Sequence, residues 1–277
     1  MSDESTSTTP PGVDPNTPSV ARIYDYMLGG TTNYEVDRMA AKQLEAMFPE
    51  LKDWAWCNRG FHQRAVRWLA GEAGITQFID IGSGLPTGNN THQVAQDINP
   101  KARVVYIDLD PMVAAFAPHL LADAENVVFV SGDLRDRDAL LANADLRSMI
   151  DFDQPIALFM TAVAHFLPDE TDPWSLVAGY LDAVPVGSYL ALSHGTLDKA
   201  RPEYVARVQA LYSSANEQAH PRTKADVERF FDGLELTAPY PGARPGVTYG
   251  GLWGAEDPED ADDEPSRGLY CGVARKY

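Results

Sequence analysis

The sequence predicts an α/β fold: one mostly parallel sheet preceded by a helical extension. Three observations predict it. Five short apolar runs, "FIDI", "RVVYID", "NVVFVSGD", "PIALFM" and "SYLALSH", follow one another from Gln77 onward, and such runs suit strands buried on both faces. Segments of helical spacing separate them, and strand–helix–strand repeats imply right-handed crossovers and parallel pairing. Ahead of the first run, apolar residues recur at helical spacing only.

The N-terminal "MSDESTSTTPPGVDPNTP" is Ser, Thr, Pro and acid; residues 1–17 are expected as a disordered tail. The extension, 18–74, carries three helices, in "SVARIYDYMLGG", "YEVDRMAAKQLEAMF" and "NRGFHQRAVRWLAGEAG". Phe61, Ala65, Trp68 and Leu69 share a face of the third; its Arg64 and Arg67 are expected in solvent, and Arg59 facing an acidic group. Further helices are expected at about 90–98, 111–123, 135–149, 172–184, 201–219 and 223–232. The core, 75–277, closes with "LELTAPY" and "LYCGVARKY", two strand candidates joined by an acidic stretch, "GAEDPEDADDEPSRG", read as a solvated loop at about 254–268.

Composition narrows the function. With 22 basic and 40 acidic residues, the formal net charge is −18, which argues against nucleic acid or anionic membrane as partner. Two cysteines, Cys57 and Cys271, give neither a disulfide framework nor a structural zinc site. The start lacks a signal peptide's basic and apolar regions, and no run would span a bilayer. A cytoplasmic protein is expected.

In a parallel α/β sheet, ligands bind beyond the carboxyl ends of the strands. The first strand ends at Asp80, followed by Gly82, Ser83 and Gly84; the second at Asp108 and Leu109; the third at Gly132, Asp133 and Leu134; the fourth at Thr161 and Ala162, with His165 one turn on. A G-x-G turn brings backbone close to a ligand. The dinucleotide fingerprint needs a third glycine where Thr87 stands, and Gly88 comes one residue late. A nicotinamide-dependent oxidoreductase is therefore disfavoured. Asp108 can accept from two ribose hydroxyls and Asp133 from an exocyclic amine. Acids at three successive strand ends would repel a pyrophosphate and suit a nucleoside without one.

The motifs "FIDIGSGLPT", "RVVYIDLDP", "FVSGDLRD", "FMTAVAHFLPD" and "GSYLALSH" resemble those of class I S-adenosylmethionine-dependent methyltransferases. Together with "ARIYDYMLGGTTNYEVDR" and "NRGFHQRAVRWLA", they are similar to a bacterial S-adenosyl methyltransferase family long catalogued as a domain of unknown function. The resemblance implies a single Rossmann-like domain whose seven-stranded sheet has an antiparallel last strand, paired as a hairpin with the sixth. It implies S-adenosyl-L-methionine as cofactor. Gly82, Ser83 and Gly84 would fold around its methionine part and Asp80 would receive the ammonium, directly or through water. Asp108 and Leu109 would hold the ribose, Gly132, Asp133 and Leu134 the adenine, and Thr161 and Ala162 the wall by the methyl.

Methyl transfer needs mainly alignment and desolvation, and no metal is expected. A base matters only for a hydroxyl or protonated amine, and His165 is the candidate, with His194 second. His62, His119 and His220 read as structural. In the extension, Tyr26, Gly29 and Gly30, with Tyr24, Met27 and Tyr34, combine rings with a flexible joint, as a lid over the cofactor would or as helix-face packing would. The expected function is a methyltransferase acting on a small-molecule acceptor; the alternative is a protein that binds S-adenosylmethionine or S-adenosylhomocysteine without transferring a methyl.

Overall fold

A computed structural model describes residues 9–86, 88–199 and 218–277. Three helices come first: α1 (Val20–Met27), α2 (Glu35–Met47) and α3 (Leu51–Gly71). The alternating part follows as β1 (Gln77–Ile81), α4 (Thr91–Ile98), β2 (Arg103–Asp108), α5 (Pro111–Leu120), β3 (Val127–Ser131), α6 (Arg137–Leu141), α7 (Ala144–Met149), β4 (Ala157–Thr161), α8 (Pro173–Asp182) and β5 (Tyr189–Gly195). A short helix, Lys224–Glu228, leads to β6 (Glu235–Leu236), β7 (Thr248–Tyr249) and β8 (Leu269–Arg275).

The sheet runs β3-β2-β1-β4-β5-β8-β6, with β7 also on β8. The first five strands pair in parallel and β8 is antiparallel to its neighbours. Eight strands stand where seven were expected. The extra one, β7, is two residues long and takes the part of β8's outer edge beyond β6. The order reverses between β1 and β4, which opens a crevice at the carboxyl ends of both.

Apolar strands explain the two-sided core. Ile79, Ile81, Val105, Ile107, Leu158 and Met160 pack on one face, towards Tyr180, Phe230 and Phe231. Phe78, Val104 and Phe159 pack on the other against Phe61, Ala65 and Leu69 of α3. Alternate residues of each strand therefore serve opposite layers, as buried parallel strands do.

Several expectations change. The helix expected over 135–149 breaks in two because Asn143 caps a new start, accepting from the Asp145 and Leu146 N–H groups. The third N-terminal helix starts at Leu51, well before Asn58. The helix expected at 201–219 lies almost wholly outside the described residues. Of the expected tail, residues 9–17 are described and held: Arg22, buried and ion-paired with Asp37 at 2.7 Å, donates to the Asp14 and Thr17 carbonyls. Val13 packs beside Leu85, Met112 and Val113. Arg64 is not in solvent; it donates to the Trp253, Gly250 and Gly251 carbonyls. No helix among the described residues is long and apolar enough to cross a membrane.

Candidate functional site

The glycine turn after β1 is built by backbone that only glycine adopts readily. Gly82 and Gly84 have φ of +72° and +65°. A Cβ on Gly82 would lie 2.4 Å from a Val163 methyl, whereas one on Gly84 would meet nothing within 4 Å. The Gly82 and Ser83 N–H groups donate to the Ile107 carbonyl, and the Gly84 N–H donates to Asp108 Oδ2 at 2.7 Å. Asp108 Oδ1 accepts from the Asp110 N–H at 2.9 Å. The carboxylate at the end of β2 thus braces the turn at the end of β1, and its burial raises its pKa. At the end of β3, Asp133 is bound by the Arg135 side chain and its pKa is lowered by it.

Behind the turn runs a buried chain of four side chains. Thr91 donates to Asp80 Oδ2 at 2.6 Å. Its oxygen therefore accepts from His62 Nε2 at 2.8 Å, and His62 Nδ1 accepts from the Thr161 hydroxyl at 2.9 Å. This ordering requires a neutral His62, and burial lowers its pKa well below the usual value, helped by the Arg59 charge. Burial pushes Asp80 up to about 6. Asp80 sits in the second layer, while His62 and Thr161 reach the cavity wall.

A second chain runs beside the first. Ala162 holds a left-handed φ of +52°, and its N–H donates to Ser193 Oγ at 2.9 Å. Ser193 donates to Asn58 Oδ1 at 2.6 Å; Asn58 donates to the Tyr24 oxygen at 2.8 Å, and Tyr24 to the Ala55 carbonyl. Asn58, Phe61, His62 and Ala65 form one buried stripe on α3. That stripe gave the signal sequence reading missed: two polar residues at core spacing.

A cavity of about 1180 Å³ opens over these elements, larger than the roughly 300–1,000 Å³ that one drug-sized ligand needs. Gly82, Ser83, Gly84, Asp108, Leu109, Gly132, Asp133, Leu134, Thr161, Ala162 and His165 all line it. Tyr26, Gly29 and Gly30 do not. Tyr26 packs beneath Lys52, and Gly29 and Gly30 end α1, where a Cβ on Gly30 would strike the Asp25 carboxylate. The opposite end of α1 supplies the wall, through Ser19, Val20, Ala21 and Tyr24. The Ser19 hydroxyl donates to Asp110 Oδ2, tying the start of α1 to the start of α5.

On the β4–β5 side the wall combines aromatic and apolar residues with the charged Lys199, Asp262, Glu264 and Arg267. Trp54, Phe166, Leu167 and Pro265 line it with His165. The acidic stretch is not wholly solvated: Asp263 caps a turn of helix, Glu264–Arg267, that returns to the cavity, and the Trp54 indole donates to the Gly268 carbonyl at 2.9 Å.

His165 departs from the expected base. The Gly195 N–H approaches its Nδ1 at 3.5 Å, leaving the ring proton on Nε2. Burial, with Arg222 and His220 nearby, pushes its pKa down to about 3, far from the value that suits a base near neutral pH. It is a neutral donor. His194 is structural: its Nδ1 donates to the Gly195 carbonyl and its Nε2 accepts from Arg222 at 2.8 Å. No group of three or more His, Cys, Asp or Glu among the described residues could hold a metal ion.

The comparisons agree with this geometry. The chain matches the S-adenosyl methyltransferase family over residues 6–277. A DUF574-family protein from Streptomyces avermitilis is similar at 38% identity and a TM-score of 0.88, covering 95% of this chain and 99% of that one. A putative methyltransferase from Thermobifida fusca is 40% identical with a TM-score of 0.87, covering 96% and 97%. Comparison with curated proteins gives no significant match. The chain therefore belongs to the S-adenosyl methyltransferase family, whose cofactor is S-adenosyl-L-methionine.

Proposed function

We propose that the protein transfers a methyl group from S-adenosyl-L-methionine to a small, largely apolar acceptor held against the β4–β5 side of the cavity. The observation that carries this reading is the division of one large cavity: Asp108, Asp110 and Asp133, at and after the ends of β2 and β3, line one side, and Trp54, Phe166, Leu167 and Pro265 line the other.

The residues present fit the cofactor. Gly84 leaves open space where any other residue would project a Cβ. Asp108, braced by the Gly84 N–H, keeps lone pairs for the ribose hydroxyls, as Asp133 does for the adenine amine. Asp80 acts from behind the wall, through Thr91 and His62, and does not take the ammonium directly. When bound, the cofactor supplies an electrophilic methyl carbon. The chain aligns the acceptor for in-line attack and excludes water. Thr161 and Ala162 are held at that wall by the two buried hydrogen-bond chains. His165, neutral and protonated on Nε2, offers the acceptor's oxygen or nitrogen a hydrogen bond.

The test is transfer of a labelled methyl to a panel of acceptors that need no base on the chain: neutral aromatic amines, whose proton passes to water after transfer, and phenols and thiols ionised in solution. It is read together with release of S-adenosylhomocysteine. At least one apolar acceptor should be labelled. Trp54→Ala should raise its KM about tenfold or more, through loss of a large buried contact, with cofactor affinity unchanged. Label appearing only on protein or nucleic acid would overturn the acceptor assignment.

A further inference from the structure

The cavity wall carries six acids and four Lys or Arg cations, and the cations differ in what they do. Arg135 is bonded to Asp133 and Arg267 to Asp262. Arg59, from the first half of α3, also lines the cavity, yet pairs with no carboxylate among the described residues. Its Nη2 donates to the Gly88 and Asn89 carbonyls at 3.1 Å and to Asn90 Oδ1 at 2.9 Å. Its Nε is buried without a hydrogen-bond partner. Nothing among the described residues accepts from Nη1.

We propose that Arg59 binds the carboxylate of the cofactor's amino-acid end. The inference rests on the S-adenosylmethionine reading of the site and deepens it. Three arguments carry it.

The first is unsatisfied chemistry. A buried guanidinium donor without an acceptor is costly, and a carboxylate is the acceptor that matches it in charge and geometry. The second is position. Arg59 grips residues 88–90, just beyond the glycine turn, whereas Asp108 and Asp133 stand at the ends of β2 and β3, towards the other edge of the crevice. Arg59 also stands three residues before His62 on α3, the residue bonded to Thr91 and Thr161 behind the turn.

The third is charge balance. The cofactor carries two cationic groups and one anionic one. Asp108, Asp110 and Asp133 make the strand-end side of the cavity negative and repel the carboxylate, so that group needs a cation of its own. Lys199 is the other cavity cation without a carboxylate partner among the described residues. It is exposed and follows β5, on the acceptor side of the sheet. Because one guanidinium would hold both the ligand and residues 88–90, cofactor binding would also clamp α3 to the loop that leads into α4.

Calorimetric titration with S-adenosylmethionine and with decarboxylated S-adenosylmethionine separates the possibilities, since the two ligands differ only by the carboxylate. The wild type should prefer the intact cofactor by about 10- to 100-fold. Arg59→Met should abolish that preference by weakening the intact cofactor alone, and Arg59→Lys should restore part of it. Equal weakening of both ligands in Arg59→Met would mean that Arg59 only holds residues 88–90, and would overturn the proposal. So would equal affinity for the two ligands in the wild type, a result that needs no variant to fold. Loss of the preference in Lys199→Met, with its retention in Arg59→Met, would move the carboxylate elsewhere. If the wild type binds neither ligand, the S-adenosylmethionine reading itself fails.

Discussion

His62 Nδ1 and the Thr161 hydroxyl lie 2.9 Å apart, joining the middle of α3 to the end of β4 across 99 residues of sequence. With Thr91 on its other nitrogen, the imidazole links these two hydroxyls. His62→Leu leaves both without it in a buried layer, and a loss of about 2–4 kcal/mol of stability is expected. Urea unfolding measures it, and a variant with the wild-type midpoint would show that the link contributes nothing. Methyl transfer should fall as well, since Thr161 loses its orientation.

Asp80 makes stability depend on pH in an unusual direction for a carboxylate. Its folded pKa of about 6 lies above the ordinary 3.8. Between those values the folded chain binds more protons than the unfolded one, so this group's contribution to stability falls as pH rises through that window and is lowest above pH 6. Asp80→Asn keeps an acceptor for Thr91 and removes the buried charge. It should melt several degrees higher than wild type at pH 7.5, a gain on the order of 3 kcal/mol or less, and the difference should vanish as the pH falls below the ordinary 3.8. A variant less stable at pH 7.5 would contradict the burial argument.

The two turn glycines should fail in different ways. Gly82→Ala combines a left-handed φ with a clash against Val163, and its melting temperature and cofactor binding should both drop. Gly84→Ala meets no atom within 4 Å. It should cost only about 1 kcal/mol of backbone strain but weaken the cofactor by obstructing the cavity. Calorimetry beside thermal unfolding distinguishes them; parallel losses in both variants would remove the distinction.

The Ser19–Asp110 bond ties the start of α1 over the cavity. Ser19→Ala should leave the equilibrium fold intact and speed cofactor release by up to about 10- to 100-fold, because one neutral-to-charged hydrogen bond is worth about 1.5–3 kcal/mol at most. Stopped-flow displacement by excess S-adenosylhomocysteine reads this directly. An unchanged release rate would mean that the segment does not gate the site.

Much of this was legible beforehand because it depends on local pattern. The strands announce themselves by apolar runs, and Asp108 and Asp133 stand where strand ends must converge. The reading of Tyr26, Gly29 and Gly30 went astray because composition was used where periodicity decides. Residues 20, 21 and 24 share a face of α1, and Tyr26 lies about 200° round from Tyr24. Asn58, His62 and Ser193 were hidden for a different reason. Each acts through a partner brought near only by the tertiary fold, and a polar residue in a helix gives no hint of which strand it will meet. Asp80 stands at the strand end where the pattern puts it, but it does not line the cavity, and its partner Thr91 comes from the following helix.

The hydrogen bond from the Trp54 indole to the Gly268 carbonyl closes a span of 214 residues. Arg64 reaches the Trp253 carbonyl across 189. Contacts this distant form late, after chain entropy has been overcome by nearer ones. An intermediate holding β1–β5 in register would own the glycine turn and the strand-end acids while lacking Gly268, Pro265 and the floor beneath Trp54. The nucleoside half of the cavity can therefore assemble early in folding. The side of the cavity formed by Pro265 and Gly268 is expected to close after it.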